Sequence, residues 1–414
     1  MNALGLVVEY NPFHNGHLYH LTESKKETKA DVVIAVMSGY FLQRGEPALI
    51  SKWTRAKMAL RNGVDIVVEL PYAYSTQSAE LFAKGAVSIL DSLYCQSLCF
   101  GSELGKIEPF LKTRSLLKEK QPQYETILKK VLQQGYSYPK AKSIAFAQVM
   151  DGEKELVDLS QPNNILGYQY INAIETLQSE IEPRTIKRIG GGYNDEALHE
   201  TTISSATSIR KALFETKDLS SLRAYVPSPT YEHLYEYEQS YHLFHRWENY
   251  FPYLKYAILT KSTDELANIY EMEEGLEYRM KAKIKEADSF YPFIEAVKTK
   301  RYTWTRLQRV CVHILTNTKK DWMKEAGLLL RAPYIRLLGM NKKGQKYLKH
   351  MKKKIEVPVI AKLSAYDLPL LHLDIKAANV YALAIHKHNQ TDFLNKEYST
   401  PPLRYDEEQN VFLT

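Results

Sequence analysis

The sequence predicts an α/β fold: a doubly wound parallel sheet over residues 1–214, followed by a mainly helical, basic C-terminal region. Three observations carry that expectation. Short apolar runs at Leu4–Val8, Val32–Met37, Ile66–Leu70 and Leu98–Phe100 stop at Gly, Pro or polar residues, as buried strands do. Segments with helical spacing lie between them, the order expected of strands joined by crossovers in a parallel sheet. Beyond residue 250 helical periodicity takes over and the charge turns strongly positive.

Taken in order, Leu4–Val8 is a first strand and His17–Thr28 the helix that follows it. Val32–Met37, the helix Lys52–Asn62, the strand Ile66–Leu70, the helix Ser78–Leu93 and the strand Leu98–Phe100 continue the alternation. A helical insertion fills roughly residues 106–182. Thr185–Ile189 is a further strand, closed by Gly190-Gly191-Gly192, and Ser204–Phe214 is a helix capped by Ser204 or Ser205, with Ile209 and Leu213 inward. Tyr225–Tyr253, dense in Tyr, Pro, Glu and His, has the texture of a linker or wrapping segment. The division is thus 1–214, 215–250 and 251–414. In the last part Lys342–Lys354 suits a basic helix and Val357–Ile360 a strand. A doubly wound sheet gathers its ligands at the carboxyl ends of its strands.

A chain of 414 residues with 44% hydrophobic and 25% charged residues is an ordinary globular protein with room for two or three domains. It has no apolar run long enough to span a bilayer, and Met1–Gly5 lacks the basic head of a signal peptide. Three cysteines make no disulfide framework and suit a reducing compartment, so a cytoplasmic location is expected. Cys95 and Cys99 could share a helix face as metal ligands, but no second pair follows, and they read as buried small residues. No protein-held metal and no protein partner is evident. From Lys298 to Lys354 there are 17 Lys or Arg against two acids; the remainder carries 38 cations and 46 anions. A basic region on an otherwise acidic chain calls for a polyanionic partner.

The motif Tyr10-Asn11-Pro12-Phe13-His14-Asn15-Gly16-His17 lies where the first strand enters its helix. Free N–H groups and the helix dipole make that turn a phosphate site. Gly16 removes a Cβ where a nucleotide approaches, and His14 and His17, three apart, share one face as phosphate ligands. In Ile203-Ser204-Ser205-Ala206-Thr207-Ser208-Ile209-Arg210, hydroxyls, free N–H groups and Arg210 converge on one anion; alone, the same residues describe a plain capped helix. Gln43, Arg44 and Glu46 form a polar loop after the second strand, at the same sheet edge. Tyr302, Trp304, Arg306 and Arg309 interleave aromatics with cations, and with Arg336, Lys349, Lys352 and Lys353 they outline an RNA-binding surface. A lysine-rich helix can equally be a solvated face.

Val7-Val8-Glu9-Tyr10-Asn11-Pro12-Phe13-His14-Asn15-Gly16-His17 is similar to the signature of the HIGH-motif nucleotidyltransferases, and Ile203–Arg210 resembles their second phosphate-gripping element. Gly39–Pro47, Lys52-Trp53-Thr54-Arg55-Ala56, Val67-Val68-Glu69-Leu70-Pro71, Pro162–Gly167 and Tyr334–Gly339 extend the likeness over nearly the whole chain, to the bacterial tRNA(Met) cytidine acetate ligase family. The resemblance implies activation of acetate by ATP as acetyl-adenylate, Mg2+ accompanying the nucleotide. The acetyl group would then pass to the exocyclic amine of the wobble cytidine of elongator tRNA(Met). It implies His14 and His17 as catalytic residues, and an ATP site of Val7 to His20 (with Leu18 and Tyr19), Gly101, Asn163, Arg188, Ile189, Ser204, Ser205 and Arg210. Gln43, Arg44 and Glu46 would meet the acyl group or the cytidine. No general base for the amine stands out. Two other readings explain the phosphate motifs: a nucleotidyltransferase for a small phosphorylated metabolite, and an RNA-binding protein that senses ATP.

Overall fold

The structure, a computed structural model, describes residues 1–189, 202–328 and 331–413. The glycine run at 190–192 lies outside them. The first strands are β1 (Ala3–Val8), β2 (Val32–Ser38), β3 (Ile66–Leu70), β4 (Ser97–Ser102) and β5 (Glu182–Lys187). They are mutually parallel in the order β5-β4-β1-β2-β3. This is the doubly wound pattern, and its order reverses at β1, whose neighbours are β2 and β4. A ligand crevice belongs between the carboxyl ends of β1 and β4.

Both faces of the sheet are buried, which explains why its strands read as nearly continuous apolar runs. Val32, Ile34 and Val36 of β2 enter one core, whereas Val33, Ala35 and Met37 enter the other. Helices α1 (Asn15–Thr28) and α2 (Lys52–Arg61) help to cover the second face. Helices Ala79–Ser92 and Pro162–Thr176 cover the first. The insertion is helical, as periodicity indicates: Glu108–Glu119, Gln121–Gln133 and Tyr138–Val149 precede Pro162–Thr176.

The C-terminal half does more than append helices. Strands β6 (Ile335–Asn341), β7 (Val359–Ile360), β8 (Leu403–Asp406) and β9 (Val411–Leu413) extend the same sheet, with β6 antiparallel to β3. Among the described residues one nine-stranded sheet takes strands from both residues 1–214 and residues 251–414. Within 215–250, Ser228–Tyr241 is a helix that buries Thr230, His233, Leu234 and Tyr237. Its tyrosines alternate between the core and the surface, which disguised the period.

The three cysteines are buried and free, and Cys99 lies in β4 rather than on a helix with Cys95. Lys52, fully buried, bridges Glu69 of β3 at 2.7 Å and Glu397 of helix Lys387–Ser399 at 2.6 Å. Burial pulls its ammonium down, but Glu397 and then Glu69 more than offset this and hold its pKa above the usual lysine value.

Candidate active site

β1 ends at Val8, and Tyr10 then takes a left-handed backbone conformation (φ 49°) before α1 begins. Buried Arg55 of α2 fixes this turn, donating to the carbonyls of Glu9 at 2.6 Å and Ser38 at 2.9 Å. Asn11 Oδ1 accepts from Leu49 N at 2.6 Å. The turn is a rigid rim to the crevice.

His14 is the N-cap of α1. Its Nδ1 accepts from Gly16 N–H at 3.0 Å, and its own N–H donates to His17 Nδ1 at 3.3 Å. The rings lie 3.8 Å apart at 38°. Burial, then Arg188 and Arg210, lowers His14 to about 3. Burial, then His14, Arg188 and His20, holds His17 well below the usual value, against a weaker upward pull from the Pro12 carbonyl. Both rings are neutral, and the hydrogen bonds assign the proton of each to Nε2. Neither ring is a cation at neutral pH; the positive charge comes from the arginines. Gly16 has a reason beyond close approach of a ligand: a Cβ there would stand 2.8 Å from His14 Cε1, so the cap requires glycine.

The second motif faces the first. Ser205 caps helix Ala206–Thr216, accepting from Ser208 N–H at 3.1 Å. Arg210 donates to the Asn11 carbonyl at 3.0 Å and to Glu46 Oε2 at 2.8 Å, linking both motifs to the loop after β2. Gln43 N–H donates to Glu9 Oε1 at 2.9 Å. Burial raises the Glu9 carboxyl; the Gln43 N–H, Arg210 and Arg44 oppose this, and Glu46 adds to it.

Together these groups line one cavity of about 580 Å³ at the carboxyl ends of β1, β4 and β5. Gly101, Asn163, Arg188 and Ile189 form the β4–β5 side, and a Cβ on Gly101 would press on the Arg188 chain at 3.2 Å. Asn163 Nδ2 donates to Glu103 at 2.7 Å. His20 also reaches the cavity; its Nε2 is buried with no partner among the described residues, and burial lowers its pKa to about 4.

Four members of the sequence-assigned ATP site do not line the cavity: Pro12, Phe13, Asn15 and Leu18. Phe13 is fully buried against Tyr10 and His17, and Asn15 Nδ2 ties α1 to the carbonyls of Thr202 and Ala224, both at 2.9 Å. Pro12 is buried and Leu18 packs on the second core. These four residues pack around the motif, outside the cavity lining. Conversely, Leu42, Phe82, Phe100, Leu166 and Tyr170 form an apolar wall that sequence reasoning missed. Apolar residues at element ends look like core until the cavity is seen. Trp304 of helix Trp304–Leu315 also lines the cavity, the one contributor from beyond residue 250 among the described residues.

The expected RNA surface divides. Arg309 is buried and forks onto Glu271, with Nη2 at 2.8 Å. Arg336 is buried in β6, donating to the Glu397 carbonyl at 3.3 Å beside Trp53. Both are buried, Arg309 because Glu271 pairs with it and Arg336 because β6 joins the sheet beside β3. Arg306 is half-buried over the Tyr302 ring at 5.2 Å. Lys349, Lys352 and Lys353 are exposed, on and just after helix Lys342–Met351. That helix starts beside Asp65, before β3, and Tyr347 donates to the Leu93 carbonyl, before β4. It therefore sits at the amino ends of the parallel strands, opposite the cavity. Six residues of strand, about 20 Å, separate the two ends.

Among the described residues no group of three or more His, Cys, Asp or Glu could hold a metal ion. No helix among them is long and apolar enough to cross a membrane.

The HIGH Nucleotidyl Transferase family model matches residues 1–396. The chain is 51% identical over 414 residues to the tRNA(Met) cytidine acetate ligase of Bacillus licheniformis, with all of both chains covered. It is 50% identical over 415 residues to that of Bacillus subtilis, again with full coverage. A crystal structure of Thermotoga maritima TmcAL in its apo form superposes with a TM-score of 0.91 at 35% identity, over 98% of this chain and 100% of that one. The same protein bound with alpha-thio ATP gives 0.90 at 35% identity, with the same coverage.

Proposed function

The chain belongs to the tRNA(Met) cytidine acetate ligases, within the HIGH nucleotidyl transferases, and we propose that it joins acetate to the wobble cytidine of elongator tRNA(Met) at the expense of ATP. One observation carries the reading. Two neutral histidines, His14 and His17, share a single cavity at the switch point of the sheet with Ser205 and Arg210.

In the first step an acetate oxygen attacks the α-phosphorus of ATP in line, and pyrophosphate leaves. The negative charge that builds on the phosphate oxygens is met by fixed donors at His14 and His17 and by the charges of Arg188 and Arg210. In the second step the cytidine amine attacks the acetyl carbonyl, AMP departs with the bonding pair, and the amine loses one proton. Any Mg2+ would accompany the nucleotide and neutralise charge on its phosphates, since the described side chains offer no three-ligand cluster to hold it. Gln43, Arg44 and Glu46 line the loop side of the cavity, and in this reading they meet acetate or the cytidine. A tRNA-modifying ligase with three free, buried cysteines suits the reducing cytoplasm.

The test is incubation with ATP, labelled acetate and elongator tRNA(Met). Label must enter the tRNA as acetylcytidine, and only with ATP present. Acetate-stimulated pyrophosphate exchange supports the ligase; exchange stimulated only by a phosphorylated metabolite, or none, overturns it.

A further inference from the structure

We propose that Trp304 is the ring on which the acceptor nucleobase stacks as its exocyclic amine enters the cavity, an inference that rests on the ligase reading above. The nucleotide-facing groups at His14, His17, Gly101, Ser205 and Arg210 all come from the first 214 residues. Trp304 is the single aromatic that the C-terminal half adds to this cavity among the described residues. A broad apolar ring offers nothing to a triphosphate, but it matches the face of a nucleobase, the acceptor cytosine or the adenine of ATP. Only a stack on cytosine leaves pyrophosphate exchange intact when the ring is removed. A single-stranded loop can splay a base out for such stacking.

The ring is held, not loose. Trp304 opens its helix, and the Thr303 hydroxyl caps that helix by accepting from Arg306 N–H at 3.3 Å. The indole lies nearly parallel to Tyr291, at 18° and 6.1 Å between centroids. Tyr291 stands edge-on to Phe290, which stacks at 3° and 4.1 Å on buried Trp247. The shelf is thus rooted in the core, while Tyr291 remains 52% exposed at its outer edge.

Its position relative to the acyl-handling loop is also set. One turn along the helix, the backbone of Gln308 and Arg309 abuts Gly45, where a Cβ would lie 2.3 Å from Arg309 N. Glycine at φ 78° lets the loop Gln43–Glu46 seat directly on the helix that carries the indole. Arg44 lines the same cavity, a cation suited to the phosphates that flank the base.

The experiment compares Trp304→Ala and Trp304→Phe with the unsubstituted enzyme in both half-reactions. Full-length tRNA and a hairpin RNA with a cytidine at the wobble position serve as probes. Expected for Trp304→Ala is a fall of about 10- to 100-fold in kcat/KM for RNA acetylation, mostly in KM. Acetate-dependent pyrophosphate exchange should fall at least ten times less. Trp304→Phe should recover most of the loss, because an aromatic face is retained. Tryptophan fluorescence should be quenched by the hairpin in the unsubstituted enzyme, and that quench should vanish in Trp304→Phe. Acetylation by Trp304→Ala within threefold of the unsubstituted enzyme would overturn the stacking role, as would an equal loss in Trp304→Phe or an equal fall in exchange. Absence of acetate-dependent exchange in the unsubstituted enzyme would instead overturn the ligase reading, and this proposal with it.

Discussion

An imidazole buried beside arginines cannot keep a proton near neutral pH, and this defines what His14 and His17 can offer. In the proposed reaction they are fixed, neutral groups whose strength does not depend on a proton arriving. His17→Ala should therefore lower acetate-dependent pyrophosphate exchange by about 10²–10³, with an unchanged circular dichroism spectrum; near-normal exchange would remove His17 from the chemistry. Proton linkage has a definite sign. His14 sits near 3, as does His313, buried in helix Trp304–Leu315 against the Tyr72 hydroxyl, and His20 near 4, all below their ordinary 6.5. The unfolded chain binds protons there that the native chain does not. The associated stability is complete above about pH 6.5 and is lost as pH falls toward these values, by up to about 1.4 kcal/mol per pH unit for each ring. Thermal unfolding at successive pH values should show Tm falling on acidification over this window; a rising Tm would contradict the burial of these rings.

Helix Ala206–Thr216 and the Gln43–Glu46 loop meet through a single side chain. Arg210 holds the Asn11 carbonyl and Glu46 at once, so its loss should loosen the triphosphate wall and the loop together. Arg210→Ala is expected to raise KM for ATP in pyrophosphate exchange by about tenfold or more, since hydrogen bonds to charged groups contribute ~1.5–3 kcal/mol. Weakened tRNA binding with unchanged ATP turnover would refute a triphosphate role. The sheet makes a similar demand at Lys52, which joins α2, β3 and helix Lys387–Ser399. Lys52→Met leaves two carboxylates buried without their counter-ion and should cost about 3–5 kcal/mol, read by denaturant unfolding. A loss below about 1 kcal/mol would mean that the carboxylates are neutralised by other means.

Across the molecule, cavity and lysine helix occupy opposite ends of the parallel strands. A tRNA that presents its anticodon loop at Trp304 could touch Lys349, Lys352 and Lys353 only with a remote part of its body. Charge reversal at all three should weaken full-length tRNA binding and shallow its salt dependence by about 0.7–0.9 log units per lost phosphate contact. The isolated hairpin should bind as before. Binding of both RNAs within error of the unsubstituted protein would identify the lysines as a solvated face.

Much was legible in the chain itself. The doubly wound order, the strand-to-helix turn at His14 and His17, the cap at Ser205 and the helical insertion all follow from local rules. Strand runs, cap residues and helical spacing act over a few neighbours, so a linear sequence displays them. Pairing between distant segments is not local, and that is where tertiary structure decided. Only the sheet shows that β6 lies against β3, which draws Arg336 into the core. Only packing shows that Glu271 claims Arg309 and that Trp304 faces the cavity. A cation's charge can be read from sequence, but its solvent exposure depends on which remote carboxylate or strand comes to rest beside it.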